Sequence, residues 1–187
     1  MNKEAVQLFS AILALVVLVG GLGTFAALVF ENRMTWTSAW LNQVRASGLW
    51  IICMITTGAM LGSLYFSEIV GFAPCKLCWY QRIGIFSIAI ISFAAALRND
   101  KNIVRYTIVL APIGLVVSTY HYLLEWFPTL ETNVCSLDVP CTSVWFRELG
   151  FVTLCFMAGC AFIAVIAVSL AIMREEKIDS TSIPQEN

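Results

Sequence analysis

Charged side chains are scarce in this 187-residue chain, where they make up only 12% of the residues. Soluble domains carry about 25% charged residues. Apolar residues account for 59% of the chain, and its mean hydropathy is +0.83. A soluble protein of this size cannot bury that much apolar surface. The same composition excludes an intrinsically disordered chain, which needs low hydrophobicity and high net charge.

Basic clusters, histidine and cofactor motifs are also scarce. The net charge is −1, and no cluster of lysine and arginine could neutralise a phosphate backbone, so we expect no nucleic-acid partner. G-x-G-x-x-G, the haem-attachment C-x-x-C-H and an iron–sulfur cysteine series are all missing. There is one histidine but seven cysteines, so the cysteines are the first candidates for chemistry.

Five long stretches contain no charged side chain, and they decide the fold class. A helix of about 20 apolar residues crosses the hydrocarbon core of a membrane. Helices satisfy their own backbone hydrogen bonds in lipid, and these runs are too long for barrel strands. The sequence therefore predicts an all-α polytopic membrane protein, a four-helix transmembrane bundle with one additional N-terminal transmembrane helix. The predicted spans are 6–30, 48–67, 77–97, 104–124 and 149–173.

The segment between the first two spans resembles a short helix lying in the membrane interface. Trp36, Trp40, Leu41 and Val44 recur at helical spacing there, and tryptophan favours the membrane–water boundary. We therefore expect three units. They are an N-terminal helix with an interfacial segment, a four-helix core and a disordered cytoplasmic tail, at 1–47, 48–173 and 174–187.

The first apolar run has an alternative interpretation as a cleaved signal peptide. Its 26 charge-free residues exceed the roughly 7–15 apolar residues of such a peptide, and Glu4 cancels the positive charge of Lys3. The sequence therefore favours a retained helix.

Basic residues in the short connections predict the orientation. Segment 98–105 carries three of them, and it alternates with 31–47 and the tail so that all three share one side, which we assign to the cytoplasm. The N-terminus and segments 68–77 and 125–148 then lie on the extracytoplasmic side.

Four of the cysteines form two closely spaced pairs in those outer segments. Cys75 and Cys78 form C-K-L-C, and Cys135 and Cys141 form C-S-L-D-V-P-C. Disulfides persist outside the cytoplasm, so both pairs are candidates for redox exchange or for static, structural disulfides. Zinc is a weaker alternative, because the second spacing is too wide for a typical zinc motif, and we expect no metal. The other three cysteines fall inside apolar spans and are expected to be small buried hydrophobes: Cys53, Cys155 and Cys160.

Two further residues accompany the first pair. Cys75 and Cys78 stand at the start of the third span, where the helix dipole lowers the pKa of a thiol, and Arg82 lies one turn beyond Cys78 on the same face. An arginine at that depth either marks a functional site or extends to the lipid head groups. His121 lies at a matching depth in the fourth span. It either forms a hydrogen bond between helices or, together with Arg82, contacts the polar head of a bound ligand. Glu125 is expected to be solvated at the interface.

If both pairs are redox-active, they form a relay by thiol–disulfide exchange. The Cys135 and Cys141 loop is long enough to meet a soluble protein, whereas Cys75 and Cys78 lie at the membrane surface and can meet a lipid-soluble acceptor. A quinone dissolved in the bilayer fits that role, with Arg82 stabilising the negative charge on its oxygens.

The motif P-C-K-L-C-W-Y-Q-R at 74–82 resembles the P-C-x-L-C-x-Y-x-R of the DsbB family of membrane disulfide-generating oxidoreductases. The compact Cys135 and Cys141 loop, followed by a closing apolar helix, is similar to the BdbC-type branch. The resemblance covers about 48–173. It implies an enzyme of the bacterial cytoplasmic membrane that oxidises a thioredoxin-fold protein of the DsbA type and reduces ubiquinone or menaquinone.

The resemblance also implies residue roles. Cys135 would be attacked by the partner's thiol, with Cys141 as its disulfide mate. Cys75 would exchange with that second pair, and Cys78 would face the quinone beside Arg82. His121 would also lie near the quinone.

This sequence departs from the best-known family members in two ways: its second cysteine pair is more closely spaced, and it has an extra first helix. A related alternative is a vitamin K epoxide reductase-like enzyme. In that family, however, the loop pair usually precedes the C-x-x-C, and here it follows. The non-enzymatic alternative is a membrane protein whose outer loops are held by structural disulfides.

Overall fold

The computed structural model describes residues 3–31, 35–131, 135 and 139–182. Its described part contains no strand and five helices that are long and apolar enough to cross a membrane, which confirms the predicted fold class. The helices are α1 (Lys3–Val29), α2 (Thr35–Leu64), α3 (Lys76–Arg98), α4 (Val104–Trp126) and α5 (Leu154–Ser182). A π-helical turn, Tyr65–Ile69, extends α2, and 3-10 turns precede and follow α4.

Helices α2 to α5 form a four-helix bundle, with α1 outside it. α2 packs on α3, α3 on α4, and α4 on α5, and α5 closes the ring against α2. α1 packs mainly on α5 and also on α2, which matches the predicted additional helix.

Small residues let these helices approach closely. The fully buried ring of Phe162 on α5 occupies the space left by Gly114 on α4, where a Cβ atom would overlap the ring. A Cβ atom on Gly21 of α1 would lie 2.9 Å from the Cα atom of Ala164 on α5. Close backbone approach at small residues is the usual way in which membrane helices associate without a hydrophobic driving force.

The predicted interfacial helix at 31–47 is wrong, because α2 begins at Thr35 and continues without a break. Leu41 is fully buried whereas Trp40 is exposed, so the two do not share an interfacial face. The backbone stays helical at Gly48. A Cβ atom there would lie 2.7 Å from the Cδ1 atom of Ile172 on α5, so the missing side chain allows the two helices to pack closely. The glycine serves close packing and not a turn.

The predicted limits of the last span also need correction. α5 begins at Leu154 and not at residue 149, after Leu149 and Gly150, which have positive φ angles of 53° and 81°. The hydroxyl of Thr153 accepts a hydrogen bond from the backbone N–H of Phe156 and caps the helix. The helix then continues to Ser182, so most of the predicted disordered tail is helical; residues 183–187 lie outside the described residues.

An ion cluster that includes the buried Arg45 fastens α1 to the bundle at the end opposite the cysteine pairs. A guanidinium nitrogen of Arg45 on α2 lies 2.7 Å from the carboxylate of Glu31, and the Nε atom of Arg174 on α5 lies 3.4 Å from it. Arg174 also donates a hydrogen bond of 2.7 Å to the carbonyl of Leu28, and Arg45 donates one of 3.1 Å to Ala171. Arg45, which the charge pattern counts among the cytoplasmic basic residues, is therefore buried and paired.

Candidate active site

The first cysteine pair caps the N-terminus of α3. Cys75 has extended backbone angles, φ −74° and ψ 174°, and its sulfur accepts a hydrogen bond of 3.3 Å from the backbone N–H of Cys78. The preceding Pro74 disfavours a helical conformation for Ala73, so the helix cannot extend backwards through it. Both cysteines carry free thiols, and their Sγ atoms lie 3.1 Å apart.

The second pair lies against the first. Cys135 and Cys141 form a disulfide with their Cα atoms 5.8 Å apart. Cys141 is fully buried and belongs to one apolar cluster with Cys75, and Cys78 and Cys135 pack against that cluster. The fold therefore brings the four predicted sulfur atoms to one end of the bundle.

His121 on α4 connects the two pairs. Its Nε2 atom lies 3.6 Å from the sulfur of Cys75 and 3.1 Å from the carbonyl oxygen of Cys141. The amide nitrogen of Gln81 lies 2.9 Å from Nδ1. When that amide donates to Nδ1, the imidazole proton is on Nε2, which donates it to the carbonyl. Gln81 thus orients the buried histidine towards both pairs.

The surroundings of Cys75 favour its thiolate. The hydrogen bond shared with Cys78 is the largest cause, and with the smaller effects of His121 and of the Cys78 backbone N–H it lowers the pKa of Cys75 to about 4 from an ordinary 9. Burial acts in the opposite direction but is outweighed. A thiolate is the nucleophile in disulfide exchange, so Cys75 is prepared to react.

Cys78 faces a different environment, an apolar cavity of about 410 Å³. All five helices contribute to its walls, α4 through His121, and the side chains of Gln81 and Arg82 on α3 also line it. Arg82 donates two hydrogen bonds of 2.9 Å to Ser63 on α2, one to its hydroxyl and one to its carbonyl. A roomy apolar cavity with a few convergent polar groups is the usual form of a small-molecule site.

The loop after Cys141 packs over this cavity through aromatic rings. The ring of Trp145 stacks on that of Phe72 at 4.9 Å, and the ring of Phe146 lies 5.3 Å from that of Phe66. The structure turns both rings towards the bundle, where Trp145 lines the cavity.

The environment of Glu125 differs from the expected solvated one. Its Oε2 atom is buried and accepts no hydrogen bond within the described part of the chain. The residue lines a small second cavity together with Cys75, Cys78 and His121.

Three side chains at the site also lie close enough together to bind a single metal ion. The sulfur atoms of Cys75 and Cys78 and a ring nitrogen of His121 all lie within 4.8 Å of one another. Sulfur and imidazole are the ligands that zinc prefers. The sequence favours no metal here, and a metal ion would occupy the same three groups that disulfide exchange requires.

The structure thus brings together the six candidate residues: Cys75, Cys78, Cys135, Cys141, Arg82 and His121. Sequence reasoning missed Gln81 and Ser63. Gln81 stands inside the quoted motif, but its partner is on another helix, and nothing in the sequence around Ser63 links it to Arg82. The remaining cysteines are buried as expected, namely Cys53, Cys155 and Cys160.

Fold and site together define a class, a multi-pass helical membrane protein with two adjoining cysteine pairs and an apolar cavity beside one of them. The family model described as "Disulfide bond formation protein DsbB" matches residues 45–174. The chain belongs to the DsbB family.

Similar proteins point to the same branch as the sequence resemblance. A "Probable disulfide formation protein C" of Halalkalibacterium halodurans is 41% identical over 130 residues, which is 69% of this chain and 93% of the relative. The "Disulfide bond formation protein C" of Bacillus subtilis is 39% identical over 129 residues, 68% of this chain and 91% of the relative. No solved structure matches the chain significantly.

Proposed function

We propose that this protein reoxidises a thioredoxin-fold thiol oxidase of the DsbA type and passes the electrons to a membrane quinone, ubiquinone or menaquinone. One observation carries the proposal. The buried sulfur of Cys75 lies 3.1 Å from that of Cys78 and 3.6 Å from the Nε2 atom of His121, which also lies 3.1 Å from the backbone carbonyl oxygen of Cys141. Two cysteine pairs in contact, one of them beside an apolar cavity, form the parts of an electron relay.

The first step uses the loop disulfide. A thiolate of the reduced partner attacks the sulfur of Cys135, the bond to Cys141 breaks, and Cys141 leaves as a thiolate. The partner's second thiol then attacks the mixed disulfide. The partner is released with its disulfide restored, and Cys135 and Cys141 are left as a dithiol.

The second step moves two electrons between the pairs. The dithiol of Cys135 and Cys141 reduces a disulfide between Cys75 and Cys78, which restores the loop disulfide and leaves two thiols at α3. This product is the state of the structure, with Cys75 and Cys78 free and the loop pair bonded.

In the third step the electrons leave through Cys78, which lines the cavity. A quinone bound in this cavity would accept the two electrons that Cys75 and Cys78 lose when their disulfide forms again, together with the proton of the Cys78 thiol and one proton from solvent, because Cys75 is already a thiolate. The guanidinium of Arg82, held by Ser63, stabilises negative charge that develops beside it in this largely apolar cavity. The apolar walls exclude water and suit a lipid-soluble acceptor.

We further propose that both pairs face the extracytoplasmic side of the bacterial cytoplasmic membrane. The support is the basic segment 98–105 at the other end of the bundle, together with the need for an oxidising compartment. Contact between the two pairs means that they share one side, whichever side that is.

A coupled assay tests the proposal. Purified protein is mixed with a reduced thioredoxin-fold partner and a soluble quinone analogue, and both quinone absorbance and partner thiols are followed. We expect two thiols to be oxidised for each quinone reduced, and Cys78→Ser to abolish the reaction. Cys160→Ala, which removes a buried thiol away from the site, should leave it unchanged. Quinone reduction that persists in Cys78→Ser would refute the mechanism.

The same assay separates the role of Arg82 from that of the thiols. Arg82→Ala should reduce quinone turnover on the order of 10²-fold, the usual loss when one charge-stabilising group is removed. Exchange between the partner and Cys135, followed without quinone, should change little. Equal losses in both half-reactions would contradict the assigned role.

A further inference from the structure

The wall of the large cavity includes the additional helix. α1 contributes four lining residues on one face of its first half: Ser10, Leu13, Ala14 and Val17. The family match begins at residue 45, after α1 has ended. A helix outside the shared family region is thus part of the same cavity as Cys78 and Arg82.

The packing of α1 explains why the cavity extends there. Four of its five buried residues lie in the second half, where Gly21 and Thr24 approach α5 and α2 and the ion cluster holds the end. In the first half only Ala11 is buried, and Phe9 and Val16 are exposed. α1 is therefore fastened at one end and leaves a gap against the bundle at the other.

The facing wall on α2 includes several small residues beside the larger Met54 and Ile55. Gly58, Ala59 and Gly62 line the cavity, and a Cβ atom on either glycine would meet no other atom within 4 Å. The open space beside these residues and the apolar face of α1 together form a slot. Because the slot belongs to the same cavity as Cys78, a molecule with its polar head at Arg82 can extend an apolar chain along α1.

We propose that α1 and the small residues of α2 bind the isoprenoid tail of the quinone, and that Ala14 and Val17 determine which tails fit. This inference rests on the proposed function and adds a specificity element to it. Cys78 and Arg82 act on the head group of the quinone, whereas α1 provides most of the affinity for its tail. Tail binding follows from apolar burial, so it depends on the space beside Ala14.

A pair of substitutions on α1 tests this division. Ala14→Phe fills the slot, while Val16→Phe adds the same side chain at an exposed position outside the cavity. Ala14→Phe should raise the KM for a long-tailed quinone about tenfold, a change on the order of one or two lost methylene contacts. Its KM for a tail-less analogue should stay the same, and Val16→Phe should change neither.

The outcomes distinguish this inference from the function on which it rests. If Ala14→Phe and Val16→Phe behave alike while the unsubstituted protein reduces both quinones, the tail does not lie along α1. If Ala14→Phe impairs both quinones equally, α1 does not discriminate between tails. Failure of the unsubstituted protein to reduce either quinone would instead refute the proposed function.

A binding measurement on the unsubstituted protein needs neither turnover nor a correctly folded variant. A quinone carrying a photoactivatable group at the end of a short tail is bound and irradiated, and the labelled peptides are identified by mass spectrometry. We expect labels within residues 10–17 and on α2 near Gly58. Labels confined to α3, α4 or the loop around Cys141 would overturn the inference.

Discussion

At the scale of single residues, the two cysteines of one short motif have different neighbours. Cys75 is the N-cap of α3, so its sulfur points back towards His121 and the second pair. Cys78 lies in the first turn, and its side chain reaches the cavity that Arg82 also lines. Under the proposed function, a spacing of three residues at a helix N-terminus would let one sulfur exchange with the loop pair and the other with a small acceptor in the cavity.

The lowered pKa of Cys75 leads to a titration experiment. With the first pair reduced, the ultraviolet absorbance of the thiolate should titrate near pH 4, well below the ordinary value of 9. Cys78→Ala should raise the midpoint most, because it removes the largest cause, and His121→Phe should raise it less. Since the folded-state pKa is depressed, the contribution of the thiolate to stability is full above pH 9 and is lost as the pH falls towards 4.

Cys75→Ser provides the control for that titration, because it removes the thiolate signal while the buried cysteines of the spans remain. A midpoint near 9 in the unsubstituted protein would show that neither Cys78 nor His121 stabilises the thiolate.

At the scale of helices, sequence reasoning located the spans better than their ends. The hydrocarbon thickness fixes the length of a charge-free run, so five such runs predict five helices. The ends depend on packing. An interfacial helix and the first turns of a longer helix have the same periodicity, and only the burial of Leu41 and Gly48 against other helices distinguishes them.

The attachment of α1 depends on the charge of Glu31, and this can be measured. Glu31→Gln should lower the free energy of unfolding in detergent by about 3 kcal/mol, because Arg45 is left buried without its counter-ion. Lys101→Met is the matched control, since its ion pair with Glu175 is one-third exposed and is worth less than about 1 kcal/mol. Equal effects of the two changes would contradict the anchoring role of Glu31.

At the scale of the whole molecule, the sequence predicted which side chains come together at one end of the bundle but little of how they are held. Cysteine spacing and Arg82 stood out because such residues are unusual at a membrane surface. Their supporting contacts involve residues that are ordinary in sequence and distant along the chain, such as Ser63 and Gln81. The place of α1 in the cavity wall depends on helix packing, which hydropathy does not encode.

Under the proposed function, the arrangement also explains how one chain can pass electrons from a water-soluble partner to a lipid-soluble acceptor. The loop disulfide lies outside the helices, where the proposed soluble partner would meet Cys135, whereas the cavity lies among the five helices that are apolar enough to cross a membrane. His121 and Cys75 lie between these regions. The account therefore requires that electrons from the partner reach the first pair only through the loop pair.

Thiol counting on the first pair tests that requirement most directly. Fully oxidised, quinone-free protein is mixed with a reduced thioredoxin-fold partner, quenched with an alkylating agent, and the redox state of Cys75 and Cys78 is read by mass spectrometry. The account predicts that both become reduced in the unsubstituted protein and stay disulfide-bonded in Cys135→Ser. Reduction of Cys75 and Cys78 at the same rate in Cys135→Ser would contradict it.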